Sequence, residues 1–229
     1  MGFLDFLFPR KCLGCGRTGG YFCAQCLNFL SLDSQRICPV CERPAVGGQT
    51  HPNCLTNSSL NGLTTIFAYK GLIKTAIVKL KYRFVSDLAF DLVELFLSFC
   101  GEDKSFVQFC RRQNIYLVPI PLHQSRKRWR GFNQSELLGK MIGENLGVSL
   151  VSDLLERVKN TRPQTKLKEK ERKANIQDAF QISPNIPIAQ YPNILLFDDV
   201  WTSGATLREA TKVLKQKGTK GVWGLTLAR

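Results

Sequence analysis

The stretch NILLFDDVWTSGAT, residues 193–206, decides the fold class of this chain. It begins with a continuous apolar run that has the length of a buried strand, and it continues into two acids, Asp198 and Asp199. A short loop of small and polar residues follows, and then a helical pattern. Because ligands in an open parallel sheet lie beyond the carboxyl ends of the strands, we expect the two aspartates at the mouth of a binding site.

The loop after the acids has the composition of an anion site. Its small residues allow backbone N–H groups to close around a phosphate at a helix N-terminus, and its hydroxyl groups add further donors. Acids beside such a loop suit a sugar phosphate, whose ring hydroxyls donate to carboxylates. The residues predicted to bind the phosphate and the sugar are Asp198, Asp199, Thr202, Ser203, Gly204, Ala205 and Thr206.

The rest of the chain from residue 60 to 229 alternates β-branched, apolar runs with amphipathic stretches. Strands are predicted at 64–69, 115–120, 194–197 and 222–227, and helices at 73–81, 87–99, 134–146 and 206–217. Asn133, followed three residues later by Glu136, resembles a capping box at the start of the third helix. This alternation predicts an α/β domain with a parallel sheet flanked by helices.

Residues 1–56 are predicted to form a separate module, because seven of the nine cysteines lie there. With one histidine they make four pairs in which two residues separate two donors. Each pair can reach one zinc ion at a Zn–S distance of about 2.3 Å, and two pairs close a tetrahedral structural site. Sequence order groups Cys12, Cys15, Cys23 and Cys26 in one site and Cys38, Cys41, His51 and Cys54 in the other.

Two alternatives stay open for these cysteines. An interleaved pairing of the four pairs is compatible with the same spacing. His51 is equally well read as a solvated loop residue, so the module is expected to hold one or two zinc ions. Either way the metal is structural, since a filled tetrahedral site has no open position and so small a module needs the metal to fold.

The composition favours phosphate-bearing partners. The chain carries 32 Lys and Arg against 18 Asp and Glu, a net charge of +14, and most of the excess lies in residues 124–130 and 157–173. Such a charge attracts anions over long range, although the lysines between 166 and 173 fit a solvated helix face as well.

No apolar run reaches the roughly 18 residues of a membrane span. Without a signal-peptide pattern, a cytoplasmic location is expected, where clustered thiols bind metal more often than they form disulfides.

Residues 195–206, LLFDDVWTSGAT, with Ile194 before them, resemble the signature of the type I phosphoribosyltransferases. That signature is four hydrophobic residues, two acids, two hydrophobics, two small or polar residues, Gly, any residue and Thr. The resemblance implies binding of 5-phosphoribosyl 1-pyrophosphate together with Mg²⁺. It also implies a type I phosphoribosyltransferase-like parallel sheet that follows the zinc-ribbon module in the chain.

Nearly the whole chain resembles one branch of that superfamily, the ComF family of competence proteins, also called amidophosphoribosyltransferase-like. The matching pieces are the double zinc ribbon, YKG at 69–71 leading to KLKY at 79–82, VPIPLHQSRKRWRGFNQSE at 118–136, then Arg162, Gln164, Arg172, Asn175 and Phe180, and the loop quoted above. By this resemblance, residues 124–130 form a pyrophosphate loop and residues 162–172 a flexible flap.

The resemblance implies a reaction in which a nitrogen nucleophile attacks C1 of the ribose and pyrophosphate leaves. Asp198, Asp199, Arg126 and Arg130 would be the catalytic residues, with guanidinium groups pairing with the leaving diphosphate, a role also open to Arg128. Many nucleobase transferases carry an acid where this chain has Thr202, so a nucleobase acceptor is disfavoured. The nitrogen acceptor and turnover itself stay open.

The competing interpretation is a single-stranded DNA-binding module. Arginines beside Trp129 and Phe132 combine phosphate attraction with rings for base stacking, although both rings fit the core of the following helix equally well. The ComF family serves the uptake of transforming DNA, which implies a DNA-uptake machinery at the inner membrane as a partner. A third interpretation is a regulator that binds the phosphoribosyl compound without chemistry.

Overall fold

The computed structural model describes residues 9–82, 86–161 and 169–229. A five-stranded sheet, parallel throughout, forms its centre in the strand order β1-β7-β6-β2-β3. Two further strands, β4 and β5, pair antiparallel with each other outside this sheet. The strands are β1 Gly62–Phe67, β2 Ile115–Pro119, β3 Ser149–Leu150, β4 Leu155–Arg157, β5 Phe180–Ile182, β6 Asn193–Val200 and β7 Gly221–Ala228.

Helices cover both faces of the sheet. Alternate residues of β6 show this, since Leu195 and Phe197 pack into one apolar cluster with α3 and α6, while Ile194 and Leu196 pack into the other with α8. A strand that is apolar on both faces is typical of a sheet covered on both sides, so the predicted α/β fold class is confirmed. The helices are α1 Ala24–Leu27, α2 Gly71–Tyr82, α3 Ser86–Cys100, α4 Lys104–Cys110, α5 Gln124–Arg130, α6 Gln134–Leu146, α7 Glu169–Ile176 and α8 Ala205–Gln216.

The four predicted strands and four predicted helices are all present, with bounds that differ by at most three residues. The largest consequence is in β6, which continues to Val200 and therefore contains both aspartates. At the start of α6, Asn133 accepts a hydrogen bond from the backbone N–H of Ser135 at 3.1 Å. Glu136 lies 3.4 Å from Lys127 in an ion pair, so the reciprocal bond of a capping box is replaced by a contact with α5.

Residues 124–130, expected as a loop, form helix α5. The side chain of His123 accepts a hydrogen bond from the backbone N–H of Ser125 and caps the start of the helix. Gly131 ends it with a φ of 82°, a left-handed conformation that glycine adopts without steric cost. The basic segment is thus presented on a capped helical turn.

The zinc-ribbon residues cover the outer edge of β1. Isolated antiparallel bridges join Leu32 to Phe67 and Gln49 to Gly62. The carboxylate of Asp33 accepts from the guanidinium of Arg229 at 2.6 Å, which ties the ribbon to the end of the chain beyond β7. Covering an edge strand in this way prevents its pairing with another chain. The predicted division of the chain at residues 56–60 stays a prediction, which zinc removal tests below.

Within the described residues, every helix is too short or too polar to cross a lipid bilayer.

Candidate functional site

The structure groups the eight predicted metal donors in sequence order. Cys12, Cys15, Cys23 and Cys26 form one cluster, in which all ligand atoms lie within 4.8 Å of one another. The Sγ atoms of Cys15 and Cys23 are 3.6 Å apart. Two thiolates on a tetrahedral zinc, at Zn–S distances of about 2.3 Å, are about 3.8 Å apart. The donor set therefore fits one zinc ion.

The second cluster contains Cys38, Cys41, His51 and Cys54. Nδ1 of His51 is 3.4 Å from Sγ of Cys41, and its Nε2 lies 3.0 Å from the carbonyl oxygen of Pro44. Because a carbonyl only accepts, Nε2 carries the proton and Nδ1 directs its lone pair toward the thiols. Metal-binding histidines are commonly oriented in this way by a backbone carbonyl.

Backbone N–H groups prepare the first cysteine of each cluster for metal. Burial opposes ionisation of the Cys38 thiol, but hydrogen bonds from the N–H groups of Cys41, His51 and Val40 outweigh it and lower its pKa to about 7. The corresponding bonds lower the pKa of Cys12 to about 6 against the same effect of burial. Zinc binds the thiolate, so both turns favour the metal-binding form.

A cavity of about 580 Å³ lies at the carboxyl end of the sheet. It is lined by side chains from segments far apart in the sequence. These include the two acids at the end of β6 and two basic residues of α5. One threonine of the loop before α8 and another in the first turn of α8 also line it. Its polar lining residues include Lys74, Lys81, Arg126, Arg130, Gln134, Ser135, Arg157, Asp198, Asp199, Thr202 and Thr206. Cations outnumber acids in this lining, which suits a ligand with several phosphate groups.

Asp198 and Asp199 have different surroundings. Oδ1 of Asp198 accepts from Oγ of Ser135 at 3.0 Å and from the backbone N–H of Asp199 at 2.9 Å. Burial, reinforced by the neighbouring charge of Asp199, raises the pKa of Asp198 to about 7. Asp199 is buried and accepts at Oδ2 from Nε2 of Gln134 at 3.4 Å.

Lys81, at the end of α2, provides the counter-charge of this acid pair. Its Nζ lies 2.7 Å from Oδ2 of Asp199. Burial disfavours the ammonium, but the attraction of Asp199 outweighs it, so the pKa of Lys81 is raised. Lysine 81 was not among the predicted site residues. A lysine in an apolar helical pattern, 117 positions before the acids, carries no local signal of this contact.

Three arginines also line the cavity. Arg126 donates to the carbonyl of Thr161, and Arg130 donates to the side-chain oxygen of Gln134. Arg157 in β4 was not predicted; its Nη2 donates to Oγ1 of Thr161 at 2.5 Å, and its guanidinium stacks on Phe180. Burial and the neighbouring charge of Arg126 lower the pKa of Arg157 to about 10. Two adjacent guanidiniums that repel each other favour an anion between them.

The loop between β6 and α8 turns sharply at Gly204, whose φ is 65°. A Cβ at this position would lie 2.2 Å from the ring of Trp201, so both the conformation and the space require glycine. Thr202 is exposed, Thr206 is half-buried, and Gly204 and Ala205 line a small depression around the loop. Gly204, the residue at which α8 starts, has no side chain to cap the helix, and the first turn contains no acid. Ser203 is buried beneath the loop, and its Oγ has no hydrogen-bond partner among the described residues.

Parts of the predicted constellation lie outside the described residues. Arg162 and Gln164 of the expected flap belong to residues 162–168, and the side chain of Arg172 is likewise not described. Arg128 lies on the exposed side of α5, away from the cavity lining. Trp129 is 72% exposed, whereas Phe132 is half-buried.

The two donor clusters and the parallel sheet define a zinc-ribbon protein with an α/β domain. In agreement, a family model described as the double zinc ribbon domain matches residues 3–55. This match supports structural zinc in the ribbon.

Relatives cover nearly the whole chain. The DNA utilization protein YhgH of Shigella flexneri is 30% identical over 229 residues, which span 94% of this chain and 93% of that protein. The competence protein ComFC of Bacillus subtilis is 29% identical over 223 residues, 90% of this chain and 83% of the relative. Competence protein F of Haemophilus influenzae is 35% identical over 114 residues, about half of each chain. The chain belongs to the family of these competence and DNA utilization proteins, the ComF family.

Proposed function

We propose that the cavity at the end of β6 binds 5-phosphoribosyl 1-pyrophosphate with Mg²⁺. One observation carries this proposal. A single cavity is lined by an acid pair, by hydroxyls at a helix N-terminus and by arginines from a separate segment. These three sets match the three parts of the ligand: the ribose hydroxyls, the 5′-phosphate and the diphosphate.

Each part of the ligand has a chemical partner. The loop at 202–206 offers backbone N–H groups and threonine hydroxyls to the 5′-phosphate. Asp198 and Asp199 accept from the ribose hydroxyls. Arg126 and Arg130 pair with the diphosphate, whose oxygens match the guanidinium fork. Arg157 joins this set, because it lines the same cavity and its guanidinium is repelled by that of Arg126, so an anion between the two would be stabilised.

We expect Mg²⁺ to enter the cavity already bound to the diphosphate of the ligand. The two carboxylates are oxygen donors of the kind that Mg²⁺ prefers. One of them already pairs with Lys81 at 2.7 Å, and the other accepts from Ser135 and a backbone N–H. When bound, the ion would neutralise charge on the departing diphosphate, while Lys81 keeps the acid pair compensated.

The reaction that such a site would serve is transfer of the phosphoribosyl group to a nitrogen nucleophile. The C1–O bond to the diphosphate breaks, the electron pair leaves with the pyrophosphate, and the nitrogen bonds to C1 and loses its proton. The protein's part would be positioning and charge stabilisation by the arginines. The relatives are named for competence and for DNA utilization, and we propose that this chain acts in the same setting.

Calorimetric titration with 5-phosphoribosyl 1-pyrophosphate and Mg²⁺ tests the proposal. We expect the zinc-loaded protein to bind and the Asp198→Asn, Asp199→Asn double variant to lose at least about a hundredfold in affinity, since both acceptors of the ribose hydroxyls change. Asp178→Asn, an exposed acid outside the cavity, is the matched control and should bind like the wild type. Absence of binding by the wild type, with its zinc content verified, would refute the proposal.

A second candidate function, single-stranded DNA binding, is favoured by the exposed face of α5. Trp129 is 72% exposed between Arg128 and Arg130, and Lys127 and Arg128 are exposed beside it. A ring in a basic surface is the arrangement on which bases stack.

Oligonucleotide binding followed by fluorescence anisotropy separates this candidate from the first. A DNA-binding surface predicts that Trp129→Ala weakens binding about 5- to 100-fold, that affinity falls steeply with salt, and that Asp199→Asn has no effect. Equal binding by Trp129→Ala and wild type would exclude α5 as the stacking surface.

A further inference from the structure

Arg208, in the first turn of α8, connects the second zinc cluster to the loop at residues 202–206. Its Nε donates to the carbonyl oxygen of Pro39 at 2.6 Å, and its Nη2 contacts Oε1 of Glu42, also at 2.6 Å. On the other side, its Nη1 donates to the carbonyl oxygen of Ser203 at 2.9 Å. One half-buried guanidinium therefore bridges two segments that are more than 160 residues apart in the chain.

The zinc side of this bridge is the turn that carries two metal donors. Pro39 lies between Cys38 and Cys41, and Glu42 follows directly after Cys41. The N–H of Glu42 bonds to the carbonyl of Cys38 at 2.9 Å and closes the turn, with Glu42 in a left-handed conformation at a φ of 60°. Because both thiols belong to the same donor cluster, a bound ion holds the turn in the shape that Arg208 contacts.

The loop side of the bridge holds the start of the phosphate-binding segment. The guanidinium carbon of Arg208 lies 5.1 Å from the ring centre of Trp201, the residue before the loop, and Nη1 holds the carbonyl of Ser203. Trp201 is buried and packs against the Cα of Gly204 at the turn. A shift of Arg208 would therefore release the backbone that presents N–H groups to a phosphate.

We propose that Arg208 is a positioning residue through which zinc in the second cluster orders the phosphate-binding loop. The inference rests on the proposed function for the identity of the ligand, but not for the ordering itself. A loop that is already ordered loses less conformational entropy when the ligand binds. Loss of the bridge should therefore lower the ligand affinity, although no group that contacts the ligand is removed. The zinc ribbon thereby acts on the site from a distance, and zinc loss weakens binding.

Hydrogen exchange of the amides at 200–208, measured on the full chain without ligand, tests the ordering. Glu42→Gln removes the charge on the zinc side, and Arg208→Lys keeps the positive charge but loses the planar fork. We expect exchange at least about fivefold faster in both variants and after chelation of zinc. Asp87→Asn is the matched control, because it breaks the 2.8 Å ion pair with Arg10 near the first cluster and should leave this exchange unchanged.

Titration with 5-phosphoribosyl 1-pyrophosphate and Mg²⁺ completes the test. Arg208→Lys should bind about tenfold more weakly at an unchanged zinc content, because only preorganisation is lost. Unchanged exchange in Glu42→Gln, in Arg208→Lys and after zinc removal would overturn the proposal. If the wild type binds no phosphoribosyl ligand, the proposed function fails, and the exchange rates still decide whether the bridge orders the loop.

Discussion

The zinc ribbon and the sheet are stabilised by different means. Among the described residues before 57, the buried apolar side chains are those of Ile37, Pro39 and the cysteines Cys12 and Cys38. In β6 alone, four consecutive residues, Ile194 to Phe197, are completely buried. The sheet is thus stabilised by apolar packing, whereas the ribbon has almost no core and depends on its metal. The comparison indicates that loss of zinc can unfold the ribbon and leave the packed sheet folded.

Of the changes considered, removal of zinc should have the largest effect, because it should unfold the ribbon while the sheet stays folded. Structural zinc contributes about 10–16 kcal/mol in small zinc-binding peptides, far more than the ribbon's few buried side chains can replace. We expect chelation to make residues 9–56 susceptible to proteolysis, while a fragment that begins near residue 60 persists. Mass spectrometry of the fragments measures the outcome.

Cys110→Ser is the control for this experiment, since Cys110 belongs to neither cluster and should leave both the zinc content and the cleavage pattern unchanged. Cleavage spread evenly through the sheet would show that the ribbon and the sheet unfold together. That result would also contradict the division of the chain at residues 56–60.

The parts that the sequence predicts well are those coded by neighbouring residues. The metal pairs, the strand with its two acids and the glycine of the loop each appear within a few positions. The sequence analysis missed contacts between residues that are far apart in the chain. Lys81 contacts Asp199 from α2, and Arg157 enters the cavity from β4, so neither is marked by its own surroundings in the chain.

Helix α5 was missed for a different reason. Residues 124–130 contain one apolar side chain, Trp129, so no hydrophobic periodicity indicates a helix. Its ends are instead set by the side chain of His123 and by Gly131. A short helix stabilised by its caps and by tertiary contacts is difficult to recognise from a hydrophobic pattern.

Gly204→Ala should have the next largest effect, and it acts on the loop of the candidate site. The new Cβ meets the ring of Trp201 at 2.2 Å in a left-handed conformation, which costs about 1–3 kcal/mol and displaces the loop. We expect the affinity for 5-phosphoribosyl 1-pyrophosphate to fall at least about tenfold by calorimetry.

Gly147→Ala is the matched control for the loop variant. Gly147 has nearly the same φ, 66°, and has no atom within 4 Å of an added Cβ. Alanine there should cost about 1 kcal/mol of stability and leave the affinity unchanged. Equal affinities in the two variants would show that the loop does not require its present shape.

The pH dependence of stability that Asp198 contributes arises in the sheet. The pKa of Asp198 is raised to about 7 in the fold, so between its ordinary pKa of 3.8 and pH 7 the folded protein holds a proton that the unfolded chain releases. The free energy of unfolding should therefore fall as the pH rises through this window, by at most about 1.4 kcal/mol per pH unit. Denaturant titrations of the ligand-free protein between pH 5 and pH 8 measure the slope.

Asp198→Asn should remove this slope and unfold at higher denaturant concentration than the wild type at pH 8, because a buried charge is absent. Asp178→Asn, whose carboxylate is exposed, should keep the slope of the wild type. Identical slopes in Asp198→Asn and wild type would assign the pH dependence to another group.

The smallest expected effect comes from two fully buried threonines of the packed half. Oγ1 of Thr211 in α8 has no hydrogen-bond partner among the described residues, whereas Oγ1 of Thr64 in β1 donates to Asp103 and accepts from Trp223, both at 3.0 Å. Thr211→Val exchanges an unsatisfied hydroxyl for a methyl group and should stabilise the protein by up to about 1 kcal/mol. Thr64→Val removes the acceptor of the buried Trp223 N–H and one donor to Asp103, and should cost about 1–3 kcal/mol. Denaturant midpoints measured with zinc bound would reveal opposite signs for two substitutions of equal size and burial. Equal effects would mean that shape alone, and not hydrogen bonding, determines stability in the sheet half of the molecule.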